Sequence, residues 1–484
     1  MSRLVVVSNR VAPPSARGAS AGGLAVGLRA ALESARGLWF GWSGDVCSDG
    51  TAMRETKRTD DGGGYRAVTV DLTETHYAGY YEEFANRGLW PLLHNRLDLA
   101  AFSKKDFTAY REVNENFCDC LRPELEADDL IWVHDYHLFL VGGELRRNGI
   151  TAALGFFLHT PFPPADLFVA LPWWREIVDG LMAFDVVGFQ TRGDFRNFAD
   201  VVERKLRGQV SDRGSRGSVE LGERRCMARV LPIGIDTAAF AGMAADEAGR
   251  GGAEQFADWI THRKVIVGVD RLDYSKGLDR RFRAFETFLA DAPEHRGDVA
   301  FLQIAAPSRE DVPEYVHMRE ELETLSGHIN GRFTELDWVP LRYINKSFPQ
   351  QSLAVLYRLS RVGLVTPLKD GLNIVAKEYV AAQDFDDPGV LVLSQFAGAA
   401  DELEEAVIVN PYDIAGVAAA IKMAVEMPLD ERRRRHESLF ERLAGNTVHD
   451  WCGRFVDTLA KRAAADGASD RPLPSAKGGD HGRN

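Results

Sequence analysis

Apolar runs in this chain end repeatedly in concentrated polar residues. Val7 is followed by Ser8-Asn9-Arg10, Val133 by His134-Asp135-Tyr136-His137 and Leu158 by His159-Thr160-Pro161. Val269 is followed by Asp270-Arg271-Leu272-Asp273-Tyr274-Ser275-Lys276-Gly277, and Ile304 leads to Ser308-Arg309. Val365 leads to Lys369-Asp370-Gly371, and Leu393 to Ser394-Gln395-Phe396. Open α/β sheets bind ligands at the carboxyl ends of their strands, and two such sheets facing each other would share one cleft. Arg10, Arg271, Lys276 and Arg309, taken together, point to a phosphorylated ligand, because guanidinium forks and ammonium groups suit phosphate oxygens. For any one of them alone, surface pairing with Asp270, Asp273 or Asp311 is the open alternative.

Asp370-Gly371-Leu372-Asn373 is predicted to open a helix carrying Leu372, Val375, Ala376 and Tyr379, with Glu378 two turns in. Its first N–H groups and dipole could receive phosphate oxygens; Asp370 as a plain N-cap is the other reading. Arg10–Gly23 (RVAPPSARGASAGG) suits a loop folding over a ligand, with Gly22-Gly23 permitting close backbone approach. A simple connection fits its composition equally. GxGxxG after a strand, GxxxxGK[ST], HExxH and GxSxG are all missing. His134 and His137 are three apart but lack a third ligand at fitting spacing, and Cys118 and Cys120 diverge on a helix, so no metal site is expected.

The elements that must position these groups are strands at Leu4–Val7, Leu130–Val133, Leu154–Leu158, Val186–Phe189, Arg229–Leu231, Val265–Val269, Ala300–Ile304, Gly363–Val365, Val390–Leu393 and Val407–Val409. Most are apolar on both faces, as in parallel sheets covered by helices on each side. Helical spacing lies between them: Phe107, Tyr110, Phe117 and Leu121 after a capping box of Ser103 and Asp106, and Leu278, Phe282, Phe285 and Leu289 further on. The expected class is α/β, doubly wound. At 484 residues two or three domains are expected. The small, polar Phe240–Glu254 segment places the boundary near residue 240, giving domains 1–240 and 241–449. Gly208–Glu223 reads as a mobile surface loop and 464–484 as a disordered tail. The Arg432–Arg435 run reads as a solvated helix face.

Lys and Arg number 58 against 71 Asp and Glu, a formal charge of −13. General binding to nucleic acid or to an anionic membrane is therefore not expected. Five irregularly spaced cysteines read as reduced thiols of a cytoplasmic protein, and neither a signal peptide nor a membrane span is evident.

MSRLVVVSNRVAPP, SAGGLAVGL, GLWFGWSG, IWVHDYHL, GFFLHTPFP, DRLDYSKGL, GLVTPLKDGLNIVAKEYVAAQ and PGVLVLSQFAGAADEL resemble the motifs of the trehalose-6-phosphate synthases, retaining glycosyltransferase family 20, over residues 1 to about 460. His94-Asn95-Arg96 and Thr160 depart from the pattern. The resemblance implies a GT-B fold, two Rossmann-like domains around a cleft, with a last helix at about 450–463 crossing back onto the first. It implies transfer of glucose from UDP-glucose to glucose 6-phosphate by a cytoplasmic, metal-independent homo-oligomer, dimer or tetramer, without a cofactor. Arg10, Tyr81 and Arg309 would hold the acceptor phosphate; Trp90 and Asp135 would line the acceptor sugar, and Trp90 and Thr160 would select the anomer. Gly22, Gly23, Arg271 and Lys276 would hold the donor diphosphate, and Phe348 would offer its backbone to uracil. The Gly371, Leu372, Asn373, Ile374, Val375, Ala376, Lys377 and Glu378 run would bind the rest of the donor, with Glu378 on the ribose. His159 and Asp370 would bind the transferred glucose, and with Arg271 and Lys276 form the catalytic set. The alternatives are a member with another acceptor (glycerol 3-phosphate) or donor (ADP- or GDP-glucose), or a non-catalytic sugar-phosphate sensor.

Overall fold

A computed structural model describes residues 2–11, 28–50 apart from 30 and 34, 56–60, 64–249 apart from 213, 263–309 and 312–467. Gly22, Gly23 and residues 468–484 of the expected tail lie outside the described residues.

Two sheets carry the chain. In the first, Leu4 and Val6 bury toward one side and Val5 and Val7 toward the other, so this strand reads as a continuous apolar run. It lies beside Leu38–Cys47 on one side and Leu130–His134 on the other, all parallel. Outward from these lie Arg66–Thr73 and Thr56–Asp60 at one edge. At the other lie Ala153–Phe157, Val186–Phe189, Arg224–Val230, Arg216–Leu221 and Gln209–Val210. The second sheet is all parallel, ordered Leu341–Ile344, Val299–Ala306, Lys264–Arg271, Val362–Val365, Val390–Ser394, Val407–Val409. In each sheet the chain starts centrally, winds outward, then reverses. The reversal points fall between Leu4–Arg10 and Leu130–His134, and between Lys264–Arg271 and Val362–Val365. A doubly wound sheet opens a crevice at such a point. The two crevices therefore receive Arg10 with Asp135, and Arg271 and Lys276 with Asp370. This is the doubly wound, two-domain α/β arrangement expected of a GT-B fold.

The helix Val448–Gly467 lies on the first sheet, its Trp451, Phe455 and Leu459 buried there. Phe455 stacks on Trp132 with ring centroids 4.3 Å apart at 9°. Gly155 makes room for it: a Cβ there would meet the Phe455 ring at 2.6 Å. No helix among the described residues is long and apolar enough to cross a membrane.

All ten expected strands are present, with somewhat different ends. Several other expectations are corrected. Gly208–Glu223 is not a simple loop: Gln209–Val210 and Arg216–Leu221 extend the sheet, turning back through Gly222 (φ 61°) and Glu223. Their charge is that of an exposed edge, which discourages further pairing. The expected boundary at 240 falls inside the helix Thr237–Glu247, whose Phe240 and Ala244 pack on the second sheet. Residues 464–467, expected in the tail, continue the last helix. Ser103 precedes the helix Lys104–Leu121, but its side chain makes no capping bond. Arg432 is buried, donating to Asp387 at 2.6 Å and to the Pro388 carbonyl, so that run is not wholly solvated.

Phe455→Ala is expected to cost about 3–5 kcal/mol, the usual loss for a buried Phe. Equilibrium urea unfolding checks this; an unchanged midpoint would contradict the packing described.

Candidate active site

Asp135 ends the Leu130–His134 strand with φ 73°, a left-handed backbone that turns the chain sharply. Its carboxylate accepts from the His159 N–H at 3.2 Å. Burial pushes its pKa up to about 6, against the pull of neighbouring backbone N–H groups and Arg271. Arg10, at the end of the neighbouring strand, is exposed, its guanidinium carbon 5.7 Å from the Trp42 ring centroid. Tyr81 sits on a wide helical segment, Tyr77–Leu89, stacked on Tyr77 at 5.5 Å and on His137 at 5.9 Å. Trp90 follows, buried against His94 (4.1 Å) and Tyr136 (5.8 Å).

His159 is buried, and both ring nitrogens are engaged: one lies 3.0 Å from His134 Nδ1, the other 3.4 Å from Gln190 Nε2. Burial lowers its pKa to about 3, so it is neutral at neutral pH. Thr160 Oγ1 and Trp90 Nε1 are buried without a hydrogen-bond partner among the described residues. Buried polar groups normally find partners, so both atoms are open to a ligand.

In the second half, Asp273 caps the short turn Tyr274–Lys276 through the Ser275 N–H at 2.9 Å. Its other oxygen accepts from Arg309 Nη1 at 2.9 Å and Tyr315 Oη at 3.1 Å. Burial alone would raise the Asp273 pKa; Arg309 and Arg271 outweigh it and hold the group well below the usual carboxylate range. Lys276 Nζ pairs with Asp370, which also accepts from Leu372 N at 3.2 Å and Asn373 Nδ2 at 3.1 Å. Arg309 thus pairs with one of the acids named as alternatives, Asp273, but in a buried and not a surface pair, and Lys276 pairs with Asp370 instead; each remains at the strand ends beside the crevice. The helix after Asp370 begins at Ile374 rather than at Asp370, following Asn373 in the left-handed conformation (φ 64°). Its Ile374 and Val375 N–H groups have no i−4 acceptor within the helix, whereas the Ala376 N–H donates to the Asn373 carbonyl at 3.2 Å.

The expected donor run is split in what it offers. Leu372 packs on the first half's core, Ala376 is buried in the second, and Ile374 and Val375 are partly buried there. Lys377 is spent elsewhere: its buried ammonium donates to the Ile233 carbonyl at 2.6 Å and pairs with Glu402. Glu378 accepts from Gln350 Nε2 at 3.2 Å, and burial pushes its pKa up to about 7. Phe348, two residues before Gln350, packs half-buried on the second core.

The two halves meet at this site. The guanidinium carbons of Arg309 and Arg271 lie 4.3 and 5.4 Å from the Trp90 ring centroid. Gly371 is pressed against the first half, where a Cβ would meet the His159 carbonyl at 2.6 Å. A polar chain runs on to the hinge, where the chain leaves the first half after Val230 and returns to it before Val448: Gln190 Oε1 accepts from Ile233 N at 3.0 Å, Ile233 O accepts from Lys377, and Glu402 accepts from Asn446 at 2.7 Å. Sequence reading missed Gln190, Tyr315, Gln350 and Arg281. Arg281 is wholly buried, held by Asp270 (2.6 Å), Gln303 (2.8 Å) and Thr366 (3.0 Å) beneath the Lys276 turn. A cation between Leu278 and Phe282 on an apolar face was its one visible signal.

Comparison with known proteins agrees with this geometry. The profile of glycosyltransferase family 20 matches residues 3–461. A trehalose-6-phosphate synthase of Sinorhizobium fredii is 48% identical over 461 residues, covering 95% of this chain and 98% of that protein. One of Klebsiella pneumoniae is 46% identical over 466 residues, covering 95% of each. The crystal structure of an α,α-trehalose-phosphate synthase (UDP-forming) from Burkholderia xenovorans in complex with glucose-6-phosphate aligns with TM-score 0.90 and 45% identity, covering 95% of this chain and 100% of that one. The E. coli protein bound with UDP-2-fluoro glucose aligns with TM-score 0.87 and 43% identity, covering 95% and 99%. With its cations gathered where two doubly wound sheets meet, and matched along nearly its whole length, the chain belongs to glycosyltransferase family 20.

Proposed function

We propose that this protein is a trehalose-6-phosphate synthase, transferring glucose from UDP-glucose to glucose 6-phosphate with retention to give α,α-trehalose 6-phosphate and UDP. The observation that carries the reading is the approach of Arg271 and Arg309 from one half to Trp90 of the other, beside the Lys276–Asp370 pair. Acceptor and donor anions thus have cations on both sides of one cleft. Arg10, Tyr81 and Arg309 take the acceptor phosphate, Trp90 and Asp135 its sugar, and Thr160 with Trp90 the anomer. Arg271, Lys276 and the Ile374 helix start take the diphosphate; Phe348 and Glu378 take uridine.

As the glycosidic C–O bond breaks, negative charge grows on the UDP oxygen. Lys276 turns from Asp370 to that oxygen, and Arg271 joins it, supplying the charge a divalent ion supplies in other transferases. Asp370 and neutral His159 hold hydroxyls of the transferred glucose. The acceptor hydroxyl attacks from the face the phosphate leaves, and the phosphate takes its proton. The same reading makes the enzyme a cytoplasmic homo-oligomer that binds neither nucleic acid nor membranes.

Release of nucleoside diphosphate from UDP-, ADP- and GDP-glucose, each with glucose 6-phosphate or glycerol 3-phosphate, tests the assignment. UDP-glucose with glucose 6-phosphate is expected to turn over fastest; a faster pair would replace it. In that assay Lys276→Ala or Arg271→Ala is expected to lower kcat about 10- to 150-fold, the kinetic equivalent of a charge-assisted bond of about 1.5–3 kcal/mol. Parental turnover in either would remove the residue from the scheme. Arg309→Ala is expected to raise KM for glucose 6-phosphate far more than KM for UDP-glucose, and equal changes would exclude it from the acceptor site.

Glu378 has a folded pKa near 7 against 4.5 ordinarily. Such a group stabilises the fold fully below about 4.5 and loses that contribution as pH rises through 7. Glu378→Gln is therefore expected to melt progressively higher relative to the parent from pH 5 to pH 8 in thermal scans; a pH-independent difference would contradict the burial.

A further inference from the structure

The far edge of the first sheet carries a second cluster of cations. Arg216–Leu221 and Arg224–Val230 pair antiparallel, with Arg216 opposite Arg229, Ser218 opposite Met227 and Glu220 opposite Arg225. Alternation puts these six side chains on one face. Like charges directly opposite each other destabilise a ladder. Burial and Arg216 together push the Arg229 guanidinium below its ordinary pKa. Arg229 Nε is buried without a hydrogen-bond partner among the described residues. Glu220 is already engaged, 3.3 Å from Arg225, whose Nε donates to Ser218 Oγ at 2.7 Å. Arg462, from the last helix, closes over the same face, and the cavity so formed holds about 450 Å³. Among the described residues its one lining carboxylate, Asp212, accepts from the Gly214 N–H at 2.8 Å.

We propose that this cavity is an anion-binding site, separate from the cleft, that takes a phosphoryl group between Arg216, Arg229 and Arg462. A phosphate there satisfies Arg229 Nε and turns the repulsion between the two opposed guanidiniums into shared attraction. Three residues beyond Arg229 the chain enters its first interdomain crossing at Pro232, and Arg462 stands on the helix that follows the second crossing, so the anion ties the two connections together. The phosphoryl group has two chemical sources, free phosphate and a phosphorylated sugar.

The test is equilibrium dialysis of inorganic phosphate against the full chain with UDP present and no sugar phosphate. The parent is expected to bind about one phosphate per chain more than Arg216→Gln/Arg229→Gln. Equal binding in both proteins would overturn the proposal. Glucose 6-phosphate dialysed with UDP present separates the sources: two equivalents in the parent and one in the double variant assign a sugar phosphate, whereas one in both assigns free phosphate. The double variant removes a repulsion rather than a support, so in phosphate-free buffer it is expected to keep the parental kcat and to melt no lower than the parent. In phosphate, the parent's melting temperature rises further than the variant's; equal rises would also overturn the site.

Discussion

The contact between Arg309 and Trp90 joins the two halves, and much of the site follows from what it requires. A cation at a domain seam serves an anionic substrate only if it is held in place while one side stays open. Asp273 provides the hold, buried and ionised, with Tyr315 sharing the same oxygen. A buried carboxylate is costly unless paired and hydrogen-bonded, and the Ser275 N–H, Arg309 and Arg271 together meet that cost. Beneath it Arg281 repeats the solution, a fully buried cation with four polar partners, the Lys276 carbonyl among them, that pins the Lys276 turn to the strand ends.

The hinge obeys the same rule of burying charge only in pairs. Lys377 lies on the helix that follows Asp370, yet its ammonium reaches the Ile233 carbonyl and Glu402. Through Ile233 and Gln190 that contact continues to His159. The residue expected to bind hexose hydroxyls is thus linked by hydrogen bonds to the crossing between the domains. The helix and the crossing are tied together there, because breaking the contact at Lys377 would strand a buried ammonium.

Much of the site was legible because strand ends are legible. Strands buried on both faces are apolar throughout, so the point where Val7, Val133 or Val269 gives way to polar residues marks a carboxyl end. Arg10, Asp135, Arg271 and Lys276 were visible for that reason. Leu38–Cys47 and Arg66–Thr73 were missed because Gly, Ser, Thr and Asp interrupt their apolar runs. Gln209–Val210 and Arg216–Leu221 were misread as loop because a charged edge has loop-like composition.

What the sequence determined alone was local: which segments are apolar on two faces, which residues end them, and the long motifs that resemble a family. What only the tertiary structure decided was partnership. Composition does not say that Lys276 meets Asp370, ninety-four residues away, that Lys377 turns to the hinge, or that Arg432 is buried. Side-chain direction and pairing depend on helices and strands brought together from distant parts of the chain. The free energy of a charge depends on those neighbours and on the water they exclude, and neither is written in its own stretch of sequence.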